Sequence, residues 1–133
     1  MELFNKPVKV TQVFMTLVTL HSFIVGLLLL IIPYEYLSIF GFREIDHNFF
    51  QAQGAVFHFV MCIAYFMVIL NPHKNQNLML FSFYAKMTAT VFLLIYFFFV
   101  TEVITVLLSG IGDFLMGLII LFLYRFLQKP IHE

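Results

Sequence analysis

In this 133-residue chain, four ionisable side chains stand alone in long apolar surroundings: His21, His58, Lys86 and Asp113. A lysine and an aspartate so placed can neutralise each other as an ion pair that fixes helix register, or they can carry a proton or hold a ligand. The two imidazoles face a similar choice. They can be hydrogen-bonded members of a polar core network, or axial ligands of one b-type haem held between adjacent helices. The elements that position these groups decide how far each chemistry is reachable.

Those elements read as membrane spans. The chain is 62% hydrophobic, 19% aromatic and 11% charged, with a mean hydropathy of +1.01, well outside the composition of soluble domains. Its formal net charge of zero offers no basic patch for nucleic acid. A spanning helix needs roughly 20 mostly apolar residues. Four stretches qualify, at about Thr11 to Ile32, Phe49 to Leu70, Asn77 to Phe99 and Val103 to Leu127. The expectation is one all-α integral membrane domain over residues 1–133, an antiparallel four-helix bundle running up-down-up-down. Pro33 closes the first helix, "NPHKNQN" makes a polar turn after Leu70, and "TE" at Thr101 and Glu102 makes a shorter one. The N-terminal stretch has two lysines before its apolar run but no small-residue cleavage site, so it reads as a retained helix rather than a signal peptide.

The longest connection, over 33–48, alternates aromatic and polar residues. It is expected to lie along the interface with Tyr34, Tyr36, Phe40 and Phe42 at headgroup depth. Lys6, Lys9, Lys74, Arg125 and Lys129 all fall on one side of the alternating helices, while the other carries only Arg43 among Glu35, Glu44, Asp46 and Glu102. By the positive-inside rule both termini are expected to be cytoplasmic.

This frame sets the four ionisable groups at one depth. Each lies about nine to eleven residues from the start of its helix, or roughly 13 to 16 Å into a core about 30 Å thick. A charge at the midplane costs about 2.5 to 3.5 kcal/mol, so Lys86 and Asp113 are expected to face inward and meet. The "SGIGDFLMG" stretch supports this, with Ser109, Asp113 and Gly117 at i, i+4 and i+8 and Gly110 and Gly112 alongside. Small residues there let a neighbouring helix approach. Matching stripes run through Ser82, Lys86, Ala89 and Thr90, through Gln51, Gly54, Ala55, His58 and Cys62, and through His21, Ser22, Val25 and Gly26. The opposite faces, rich in leucine and in the 19 phenylalanines, suit lipid.

Other residues read more plainly. Gln51 and Gln53 are interfacial amides, Cys62 is a buried thiol with nothing nearby in sequence to activate it, and the seven methionines are packing filler. The sequence has no phosphate-binding glycine loop, no nucleophile elbow and no zinc-binding histidine pair.

Several short motifs together resemble the small four-helix bacterial membrane proteins described as DoxX-like. They are "GLLLLIIP" ending the first helix, "IFGF" in the loop, "QAQGAVF" opening the second, the lysine of "FYAKMTAT" in the third and the aspartate of "SGIGDFLMG" in the fourth. At the start of the second helix, where the family leads one to expect a basic residue, this chain has Gln51 and Gln53. The resemblance implies a bacterial inner-membrane location and, for some members, a role as a small subunit of a membrane redox complex.

The expected function is therefore non-enzymatic: an accessory subunit of a larger membrane complex, or a bundle that binds a lipophile. Its partners are the lipid bilayer and either other membrane subunits or further copies of itself. Two alternatives stay open. One is an oligomeric proton-coupled carrier using Lys86 and Asp113, and the other is a b-type haem electron-transfer subunit using His21 and His58. In the polar cluster, Ser22, Gln51, Ser82, Thr90 and Ser109 are the expected supporting residues.

Overall fold

The computed structural model describes residues 2–33, 36, 39 and 49–128, with side chains from Lys6 onward in the first helix. Four helices account for nearly all of them: α1 (Glu2–Ile31), α2 (Phe49–Leu70), α3 (Gln76–Phe99) and α4 (Ile104–Leu127). Each is long and apolar enough to cross a membrane, and the described residues contain no strand. The protein is an all-α integral membrane protein. Of the expected interfacial loop, Tyr34, Phe40 and Phe42 lie outside the described residues, while Tyr36 and Ile39 are exposed.

The first helix differs most from the sequence expectation, since it begins at Glu2 rather than at Thr11 and runs through Pro7. A proline this near a helix start removes only one backbone hydrogen bond. Thirty residues make a helix about 45 Å long, so its opening turns, with Lys6 and Lys9, extend past a hydrocarbon core about 30 Å thick. The other boundaries shift by one residue at most.

The helices associate as two tight hairpins. Along α1 and α2 the contacts form an antiparallel ladder. The Gln12 amide donates to the Ile69 carbonyl at 2.8 Å, Cys62 Sγ lies 3.5 Å from the Thr19 carbonyl, and the Gln51 amide reaches the Ile32 carbonyl at 3.1 Å. Gly26 lets the two backbones close, because a methyl group there would stand 3.0 Å from Cβ of His58 and 3.2 Å from the Ala55 carbonyl. In α3 and α4 the same part is taken by Gly110 and Gly117. A Cβ at Gly110 would meet Leu93 at 3.3 Å, and one at Gly117 would collide with the Met87 methyl. Lipid gives helices no hydrophobic reason to associate, so close van der Waals packing of this kind supplies the adhesion.

Between the hairpins the packing is uneven. The core consists of Met15, Val18, Tyr65, Val68, Met79, Ile120, Leu123 and Leu127. These residues come from the middle of α1, the first turn of α3 and the second half of α2 and α4, so the core occupies the end that holds the 71–75 turn. That turn is itself ordered by side chains. Asn71 accepts the Lys74 N–H at 3.0 Å, and the Asn75 amide donates to the Met67 carbonyl at 2.7 Å, satisfying a last-turn carbonyl of α2. Toward the opposite end the hairpins separate and leave clefts on both sides.

Candidate functional site

Where the packed half gives way to the open half, Lys86 and Asp113 face each other. The ammonium donates to Asp113 Oδ1 at 2.5 Å. Lys86 lies ten residues after Gln76 and Asp113 nine after Ile104, about 15 and 14 Å along their helices and so near mid-membrane. Gly117, one turn beyond Asp113, leaves the room that brings α3 this close, since its own Cβ would sit 3.3 Å from Cβ of Lys86. On the other side of the aspartate, the Thr90 hydroxyl lies 2.9 Å from its own helix's Lys86 carbonyl and 3.3 Å from the Gly110 carbonyl across the interface. The face that meets α3 is therefore Gly110, Asp113 and Gly117, rather than the Ser109, Asp113, Gly117 stripe expected from sequence. Ser109 is exposed and Gly112 looks into open space.

The pair is unequally covered. The Lys86 side chain is 7% exposed and that of Asp113 17%, so the carboxylate is the member that the clefts reach more openly. Among the described residues, one of the three ammonium donors has a partner, and Asp113 Oδ2 accepts no hydrogen bond.

Two apolar clefts converge here. One, of about 460 Å³, lies between α2 and α3 and is lined by Phe57, Met61, Ala85 and Phe92, with Lys86 and Asp113 at its base. Ser22 and Tyr65 add hydroxyls to its wall. The other, of about 640 Å³, lies between α1 and α4. Its apolar wall includes Val25, Leu28, Leu29, Val106 and Leu108, and its polar groups are His21, His58, Thr105, Ser109 and Asp113. His58, Leu93 and Asp113 belong to both. Among the described residues, only these three line the two clefts in common.

The structure thus sets His58 with Lys86 and Asp113 in the smaller cleft and with His21 and Asp113 in the larger one. His21 itself is exposed on α1 and faces the larger cleft, not a closed core. Both imidazoles line that cleft. Ser22 is 1% exposed and lines the smaller cleft together with Tyr65. Ser82 is buried but donates back to the Leu78 carbonyl at 2.6 Å, so it serves its own helix rather than the ion pair. Gln51 lies at the α1/α2 end, where its amide nitrogen is bonded and its carbonyl oxygen is buried without a partner among the described residues.

Tyr65 is not among the residues that the sequence singles out as candidates. It is 1% exposed, one of the largest fully buried side chains, and its ring joins the packed core while its hydroxyl faces the polar cluster. The signal available in sequence is its spacing. Tyr65 falls seven residues after His58, which returns it to the same helix face after two turns.

Compared with protein-family models, curated proteins and solved structures, the chain matches none.

Proposed function

We propose that this protein is a non-enzymatic component of a bacterial inner membrane that holds a lipophile between its two helical hairpins. One observation carries the reading: two apolar clefts meet at His58 and Asp113, beside Lys86. Ligand sites are typically concave and mostly apolar, with a few convergent polar groups, and usually measure about 300 to 1,000 Å³. Both clefts fall within that range. In this reading the ion pair holds α3 and α4 in register and gives the ligand's polar end something to bind.

The orientation rests on charge. Lys6, Lys9, Lys74 and Arg125 are exposed at the packed end, and Glu102 is exposed at the open end. The positive-inside rule then sets both termini in the cytoplasm and opens the clefts toward the outer leaflet. The DoxX-like motifs support the bacterial setting.

The test is native mass spectrometry of the protein extracted gently from its own membranes. The expected spectrum shows the chain with a retained small-molecule mass. Stoichiometric partner chains and no retained lipophile would replace this reading with that of an accessory subunit.

A further inference from the structure

The larger cleft narrows the ligand's chemistry, on the footing that the protein binds a lipophile at all. Its ionisable groups, His21, His58 and Asp113, gather at one end, near mid-membrane, and a mostly apolar wall, interrupted by the hydroxyls of Ser109 and Thr105, runs from there toward the membrane surface. From His21 to Ile32 on α1 is eleven residues and from Asp113 back to Thr105 on α4 is eight, or roughly 16 and 12 Å of wall. A ligand filling it lies with its polar end deep and its tail shallow, the reverse of an ordinary bilayer lipid.

Two arguments fix the charge of that polar end. A charged head pays heavily to reach the midplane, so a molecule that arrives there is neutral. The site itself is also neutral once Lys86 has paired with Asp113. In this cleft, which Asp113 lines and Lys86 does not, an added anion would meet the carboxylate and be repelled, and an added cation would compete with Lys86 for it in surroundings that screen poorly. Hydrogen bonding then fixes its functional group. Asp113 Oδ2 accepts no hydrogen bond among the described residues and calls for a donor, while an imidazole N–H of His21 or His58 calls for an acceptor. A hydroxyl supplies both.

We infer that the cleft between α1 and α4 takes a neutral, long-chain lipophile with a terminal hydroxyl, which donates to Asp113 and accepts from His21 or His58. The tail lies against Val25, Leu28, Val106 and Leu108. Gly112 borders the cleft and has nothing within 4 Å of where a Cβ would stand, so a leucine there fills the ligand's space without touching the hairpin contacts.

Three tail-matched photoreactive probes test this: diazirine analogues of oleyl alcohol, oleic acid and oleylamine, used with the full chain in non-ionic detergent. The alcohol should label the cleft-facing parts of α1 and α4 saturably, and neither unlabelled oleic acid nor oleylamine should compete. Gly112→Leu should weaken that labelling about tenfold, a loss of about 1.4 kcal/mol in binding. Its helical content should match the parent and its melting should be no lower, and Leu28→Phe, which narrows the same cleft from α1, should weaken the labelling too. Equal labelling by the acid or the amine would overturn the hydroxyl assignment while leaving lipophile binding standing. Saturable labelling that Gly112→Leu and Leu28→Phe leave unchanged would overturn the choice of cleft. No saturable labelling by any probe, with no lipophile retained from native membranes, would remove the functional reading itself.

Discussion

Asp113 meets Lys86 through one carboxylate oxygen, Oδ1, at 2.5 Å, and the same residue lines both clefts. The pair is thus at once a clasp between α3 and α4 and the polar floor of the space between the hairpins. Its two parts separate in mutants. Lys86→Met strands a carboxylate near mid-membrane and is expected to cost about 3 kcal/mol, whereas Lys86→Met combined with Asp113→Leu should come within about 1 kcal/mol of the parent. Unfolding titrations in mixed micelles, followed by circular dichroism, read both values.

The glycines give a contrast that depends on position alone. Gly26→Ala sets a methyl 3.0 Å from both Cβ of His58 and the Phe59 ring, so α1 must move off α2, at an expected cost of about 1 to 3 kcal/mol. Gly112→Ala meets nothing and should stabilise by up to about 1 kcal/mol through helix propensity. The same titration ranks them, and equal effects at the two positions would contradict the hairpin packing.

Thr90 and Ser82 are both buried hydroxyls of α3, but only Thr90 has an acceptor on another helix. Interhelical hydrogen bonds in membranes average about 0.6 kcal/mol, so Thr90→Val should lose roughly that much. Ser82→Ala gives up only a bond to its own helix's Leu78 carbonyl and should change stability by less. Parallel unfolding curves for the two variants check the order.

Orientation can be read by labelling introduced cysteines in a Cys62→Ser background. His73 and Glu102 are exposed at opposite ends of the helices. With the basic end in the cytoplasm, Glu102→Cys should react with a membrane-impermeant maleimide in intact spheroplasts, and His73→Cys only after permeabilisation. The reverse pattern would turn the clefts toward the inner leaflet.

Much of this arrangement is legible in the sequence. Unbroken apolar runs set four spans, and the cost of a mid-membrane charge pairs Lys86 with Asp113 before any geometry is known. Three features are not legible, for physical reasons. The opening turns of α1 read as a polar flank because Lys6, Pro7 and Lys9 mask a helix that continues beyond the hydrocarbon. Ser109 and Gly110 are both small, and periodicity alone did not decide which of them faces α3; the structure turns Gly110 inward and Ser109 toward the cleft. The contrast between a packed end and an open end depends on how side chains from four helices fill shared space. Tyr65, Met79 and Ile120 interlock at one end, and no single helix records that fit.

The claim at the centre of this account is that a lipophile enters between α1 and α4 rather than coating the outside of the bundle. The direct measurement is a nuclear Overhauser experiment on methyl-labelled protein with protonated oleyl alcohol in otherwise deuterated detergent. The account predicts cross-peaks from the alcohol to Val25, Leu28, Leu29 and Leu108, residues that line the cleft, and their loss in Gly112→Leu. Cross-peaks confined to exposed methyls that line neither cleft, such as Leu17, Val60 and Val91, and unchanged in Gly112→Leu, would contradict it.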